Sequence, residues 1–137
     1  MNTKSFAIGT LVGAVVFFIL GFLFYGVLFV KFFEQNAGSA TGVMKEAPNF
    51  IVLLLGELAF AALYTYIFLQ WANIKTFATG AKGGAILGLL IGTGYNFISF
   101  ATTNLSSLTA SLTDIVIALI SGAITGGVIG WVLGKVK

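Results

Sequence analysis

The chain contains no cysteine, no histidine and no arginine. Disulfides, thiolate nucleophiles and Cys/His metal sites are therefore excluded, and so is the commonest general base. Without arginine there is no planar guanidinium fork to grip a phosphate or carboxylate with two parallel hydrogen bonds. Charge of either sign is scarce: 8% of the 137 residues are Asp, Glu, Lys or Arg, against roughly 25% in a soluble domain. Such a chain cannot clothe a water-facing surface. Proline occurs once, at Pro48. What fills the sequence is apolar, with 58% hydrophobic residues and a mean hydropathy of +1.06. The composition is that of an all-α integral membrane protein whose main partner is the lipid bilayer. Seven lysines against four acids give a pI near 9.3, but they form no cluster that would hold nucleic acid.

A spanning helix needs about 20 mostly apolar residues. Four stretches qualify: 6–30, 50–71, 83–101 and 115–133. The first far exceeds a signal-peptide apolar core. The connections are too short to hold a second domain, so residues 1–137 read as one four-transmembrane-helix bundle. The lysines set its orientation. Lys4, Lys75, Lys82, Lys135 and Lys137 fall on one side of an up-down-up-down arrangement, Lys31 and Lys45 on the other. That split predicts both termini in the cytoplasm. Trp71 and Trp131 fall at the same predicted inner ends, where an aromatic belt is expected.

Glycine is abundant and regularly placed. Gly84, Gly88 and Gly92 recur every fourth residue in the third span; Gly122, Gly126, Gly130 and Gly134 do so in the fourth, and Gly9 and Gly13 make a pair in the first. Four-residue spacing keeps small residues on one helix face and lets two backbones approach closely. Such a face serves either packing within the chain, a homo-oligomer or a larger membrane-protein partner, or a path for water or ions.

Only Glu57 places a charge within a predicted span. A carboxylate there costs about 2.5–3.5 kcal/mol on insertion scales, so it should face the bundle and find a partner. Tyr25, Tyr95, Asn96 and Ser121 fall at nearly the same predicted depth, and with Glu57 they form a candidate polar layer. Three states of Glu57 stay open: protonated and hydrogen-bonded to Asn96 or a tyrosine, paired with Lys31, or paired with a charge from another protein. Asp114 reads as an acidic cap at the start of the fourth span. GAKGG at 80–84 lacks the frame of a phosphate loop.

The run from Phe18 to Phe29, FILGFLFYGVLF, resembles the first-span motif of a family of small four-span bacterial membrane proteins known as domain of unknown function 1761. The spaced glycines of the third span, Asp114 opening the fourth and the glycine-rich close near Trp131 add to the resemblance. It implies a four-helix fold in the bacterial inner membrane and no established activity. No nucleophile–base set can be assembled, so no enzyme and no cofactor is expected. The leading expectation is a structural or interaction subunit. The alternative is a small transporter, channel or binder of lipid or hydrophobic ligands, built around Glu57 and the polar layer.

Overall fold

A computed structural model describes residues 1–136; Lys137, one of the lysines used above for orientation, lies outside the described residues. Helix α1 (Thr3–Gly21) runs on as a π-helical segment, Phe22–Leu28, and a short α2 (Val30–Gln35) follows. Helix α3 (Phe50–Ile67) also ends in a π-helical turn, Phe68–Ala72. Helices α4 (Phe77–Thr102) and α5 (Leu108–Lys135) complete the chain. Among the described residues four helices, α1 and α3 with their π extensions, α4 and α5, are long and apolar enough to cross a membrane.

Each long helix starts on a side-chain oxygen that caps a free backbone N–H. Asn2 accepts from Ser5 N, Asn49 from Val52 N, Thr76 from Thr79 N and Ser107 from Ala110 N, at 3.1–3.2 Å. The last of these corrects the sequence reading: α5 begins at Leu108 and its cap is Ser107, not Asp114. The polar run SLTASLTD reads as a loop because its apolar content is low, yet the cap and an Oγ–Oγ contact of 3.0 Å between Ser106 and Ser111 sustain the helix there. The connection expected over 72–82 likewise shrinks to Asn73–Thr76, where Asn73 takes a left-handed conformation (φ 49°) that closes the turn.

The four helices run alternately up and down. Gly9 of α1 faces Thr65 of α3 and Leu133 of α5, while Gly13 faces Ala61 and Ile129. Both pairings are antiparallel, so the two termini and the 73–76 turn share one end of the bundle. The other end carries the loops 36–49 and 103–107. These are tied by Gly38 N donating to Leu105 O, Ala40 N to Asn104 O and Ser107 N to Asn36 O.

Helices α4 and α5 meet backbone to backbone. A Cβ on Gly80, Gly84 or Gly88 would strike the carbonyl oxygen of Gly126, Gly122 or Ala118, and a Cβ on Gly122, Gly126 or Gly130 would strike that of Gly84, Gly80 or Thr76. Gly134 continues the row beneath Lys75 O, and Gly92 closes it against Ala118 Cβ. Carbonyls of one helix thus lie over the Cα hydrogens of the other, a contact that only glycine permits at this spacing. At the termini end, Tyr64, Phe68, Ile129 and Leu133 form a buried apolar core.

These contacts yield a contrast between glycines. Gly84→Ala forces a methyl against a carbonyl that cannot move without shifting α5, and overpacking of this kind costs about 1–3 kcal/mol. At Gly56 and Gly94 a methyl would meet nothing within 4 Å, so their alanine variants should gain up to about 1 kcal/mol of helix propensity. Thermal unfolding in detergent is expected to show a lowered midpoint for Gly84→Ala and an unchanged or raised one for Gly56→Ala and Gly94→Ala. Equal effects at all three positions would mean that the α4–α5 contact is not a determinant of stability.

Candidate functional site

Because α4 holds closely to α5 while α1 pairs with α3, space remains between the two pairs. A half-enclosed cavity of about 400 Å³ lies there, within the usual range for small-molecule sites. Each long helix contributes one face at helical spacing: Phe17, Gly21 and Tyr25 from α1 and its extension; Glu57, Phe60 and Tyr64 from α3; Gly88, Ile91, Gly92, Tyr95 and Asn96 from α4; Asp114, Ala118 and Ser121 from α5. The walls are mainly apolar and aromatic. Phe17 meets the Tyr64 ring edge-on at 5.2 Å, and Tyr64 donates to Gly84 O at 3.3 Å, which joins α3 to the α4–α5 pair.

Asp114 is the hub of the polar groups. Its Oδ1 accepts from the Tyr25 hydroxyl and its Oδ2 from Asn96 Nδ2 at 2.7 Å. Asn96 is 6% exposed and uses the same amide nitrogen to reach Gly92 O at 2.9 Å. Asp114 stands six residues beyond the first residue of α5, about 9 Å along the axis. Hydropathy puts it at the helix start instead, because the span is then counted from the first apolar residue, Ile115. Tyr25 reaches Asp114 from the π-helical segment, whose wider turn carries the Phe29 N–H back to Phe24 O at 3.0 Å.

The five residues of the sequence-derived layer all line this cavity, but not as one hydrogen-bonded set. Asn96 bonds Asp114 rather than Glu57. The Glu57 carboxylate leans toward the loop end, as side chains tilt toward their helix N-terminus. Its Oε1 lies 3.6 Å from where a Cβ on Gly21 would stand. Gly21 is one helical turn before Tyr25, so Glu57 sits a turn deeper than the Tyr25–Asp114 contact. Among the described residues Glu57 has no side-chain hydrogen-bond partner; Lys31 is exposed on α2 and does not line the cavity. Ser121 lies seven residues beyond Asp114, about 10 Å further toward the termini end. Tyr95 is 69% exposed and stands at the rim.

A wider recess of about 850 Å³ adjoins the cavity at the loop end, beneath Val43, Met44 and Lys45. Tyr25, Tyr95, Asn96 and Asp114 line both spaces. The Asp114 group therefore stands between the recess at the loop end and the chamber that holds Glu57. As site residues, Asp114, Phe17, Phe60 and Tyr64 escape the sequence reading. The spacing of Asp114, Ala118 and Ser121 at i, i+4 and i+7 marks a helix face that would have joined Asp114 to the site. No protein-family model, curated protein or solved structure shows significant similarity to the chain.

Asp114→Ala leaves one amide hydrogen of buried Asn96 and the Tyr25 hydroxyl without their acceptor, a loss of about 1–3 kcal/mol. Asp114→Asn preserves an acceptor and should cost much less. Thermal unfolding in detergent is expected to rank Asp114→Ala below Asp114→Asn. Indistinguishable midpoints for the two variants would show that the Asp114 hub does not support the fold.

Proposed function

We propose that this chain is a multi-pass protein of the bacterial inner membrane that admits a small solute into an intramembrane cavity, as a transporter, channel or binder. One observation carries the proposal: a chamber among four apolar helices places two carboxylates inside the bundle and meets a recess at the loop end. Ionisable side chains within a membrane are expensive and usually mark a solute or ion pathway. The solute enters at the loop end. At the termini end Tyr64, Phe68, Ile129 and Leu133 are packed beneath the chamber and close it.

The orientation rests on the lysines. Lys4, Lys75, Lys82 and Lys135 gather toward the termini end, which the positive-inside tendency assigns to the cytoplasm. Trp71 and Trp131 lie at the same end, 74% and 53% exposed, as interfacial aromatics do. The entrance then faces the outside. The resemblance to domain of unknown function 1761 bears on the choice of the bacterial inner membrane and not on the orientation. We assign the chain no catalytic activity. The competing role, a structural or interaction subunit or a homo-oligomer, draws its support from the small size of the chain, its short loops and its extensive packing faces, of which the glycine stripes are a part. The stripes of α4 and α5 face each other within one chain and are not available to a partner.

The natural lack of cysteine makes the proposal testable by single-cysteine labelling. In membranes, Ser121→Cys on the chamber wall is expected to react with a small, positively charged methanethiosulfonate reagent supplied from outside. Thr125→Cys, four residues deeper at a fully buried position, is expected to resist. Ala40→Cys should label from outside and Asn2→Cys only after the membrane is opened. An inert Ser121→Cys would remove the cavity reading, and outside labelling of Asn2→Cys would reverse the orientation.

A further inference from the structure

We infer that the solute is a small organic cation with an apolar body, an alkyl- or arylammonium ion, anchored at Glu57. The inference rests on the cavity reading above and adds the chemical class of the occupant. Among the described residues, Glu57 and Asp114 are the only charged side chains that line the chamber. An anion would meet two carboxylates and no cation, so the site repels it. A neutral solute would bring no counter-charge, so Glu57 could avoid an unpaired charge in apolar surroundings only by staying protonated. A tightly held metal ion is disfavoured too, because no group of three or more His, Cys, Asp or Glu side chains that could hold one occurs among the described residues.

The two acids are not equivalent. Asp114 already accepts from Tyr25 and Asn96, which satisfies much of its hydrogen-bonding capacity. Glu57 has no such side-chain donors among the described residues, so it is the carboxylate with capacity to take a ligand. Around it the walls are Phe17, Phe60 and Tyr64. Aromatic rings attract ammonium groups through their quadrupoles, and more so where water is excluded. They also pack against the hydrocarbon part of the ion. The charge pattern of the entrance agrees with this: Glu34, Lys45 and Asp114 all line the recess, so the way in presents no net positive barrier.

The test uses the full chain carrying Ser121→Cys, reconstituted in nanodiscs of zwitterionic phospholipid, with labelling rate as the readout. Benzyltrimethylammonium is the cationic probe, neopentylbenzene its uncharged counterpart of the same shape, and phenylacetate the anionic control. The expected result is saturable protection by benzyltrimethylammonium and none by the other two. Adding Glu57→Gln should weaken that protection about tenfold or more, with the unfolding midpoint as a check that the chain remains folded. The probe series itself keeps Glu57 and decides the matter even if the Gln variant fails to fold. Equal protection by neopentylbenzene, protection by phenylacetate, no protection by any probe, or an unchanged cation affinity in a folded Glu57→Gln chain would each overturn the inference. In those cases Ser121→Cys still labels and the cavity reading stands; a cysteine that never labels removes both.

Discussion

The rest of the molecule depends on the close approach of α4 and α5. Along this contact the carbonyls of Thr76, Gly80 and Gly84 lie over Gly130, Gly126 and Gly122, and those of Gly126, Gly122 and Ala118 lie over Gly80, Gly84 and Gly88. Helices in hydrocarbon gain little by hiding apolar surface from water, so close van der Waals packing must hold them together. Two glycine faces meeting with almost no side chain between them achieve that from Gly80 to Gly92 of α4. A similar but looser device joins α1 to its neighbours, where Gly9 and Gly13 receive Thr65, Ile129 and Leu133.

Two closely built pairs do not fill the space between them. Had α4 carried large residues on its glycine face, α5 would stand further away and α4 would be free to pack against α3. Instead Tyr64 bridges the gap with one long side chain, its hydroxyl at Gly84 O. Toward the loop end the gap stays open, and the chamber meets the recess there. The site is in this sense a consequence of the packing: small residues pull two helices together and leave a hollow beside them. The π-helical segment at Phe22–Leu28 then sets the rim, because it carries Tyr25 to Asp114.

Much of this is legible in the sequence. Four apolar runs, the antiparallel order that short loops impose and the four-residue glycine period follow from hydropathy and spacing. What the period cannot tell is which stripe meets which. That depends on crossing geometry, which local sequence does not encode. The site is half legible. Glu57 stands out because its neighbours in sequence are all apolar, and Asn96, Tyr25, Tyr95 and Ser121 follow by depth. Asp114 reads as a cap because the Thr and Ser residues before it dilute the hydropathy of the first turns of α5. Those turns are instead held by the Ser107 cap and by the tie between Ser107 N and Asn36 O. Counting depth from Ile115 rather than Leu108 also brings Ser121 about two turns too near the loop end.

The contrast between the two acids carries the functional weight. Both are held inside the bundle, where an ionised group without partners is costly. Around Asp114 the fold supplies Tyr25 and Asn96 as donors, and the result fixes α1 and α4 to α5 at one level. Around Glu57 it supplies Gly21 and the aromatic walls of Phe17, Phe60 and Tyr64. A residue kept for stability alone would be better replaced by a leucine at that place, since an apolar side chain would fill the space and carry no desolvation cost. Positions that break local rules without compensation inside the fold are where function is found. Asp114 is compensated and organises the rim; Glu57 has no side-chain hydrogen-bond partner among the described residues, and the proposed cation is the counterpart that would meet it there.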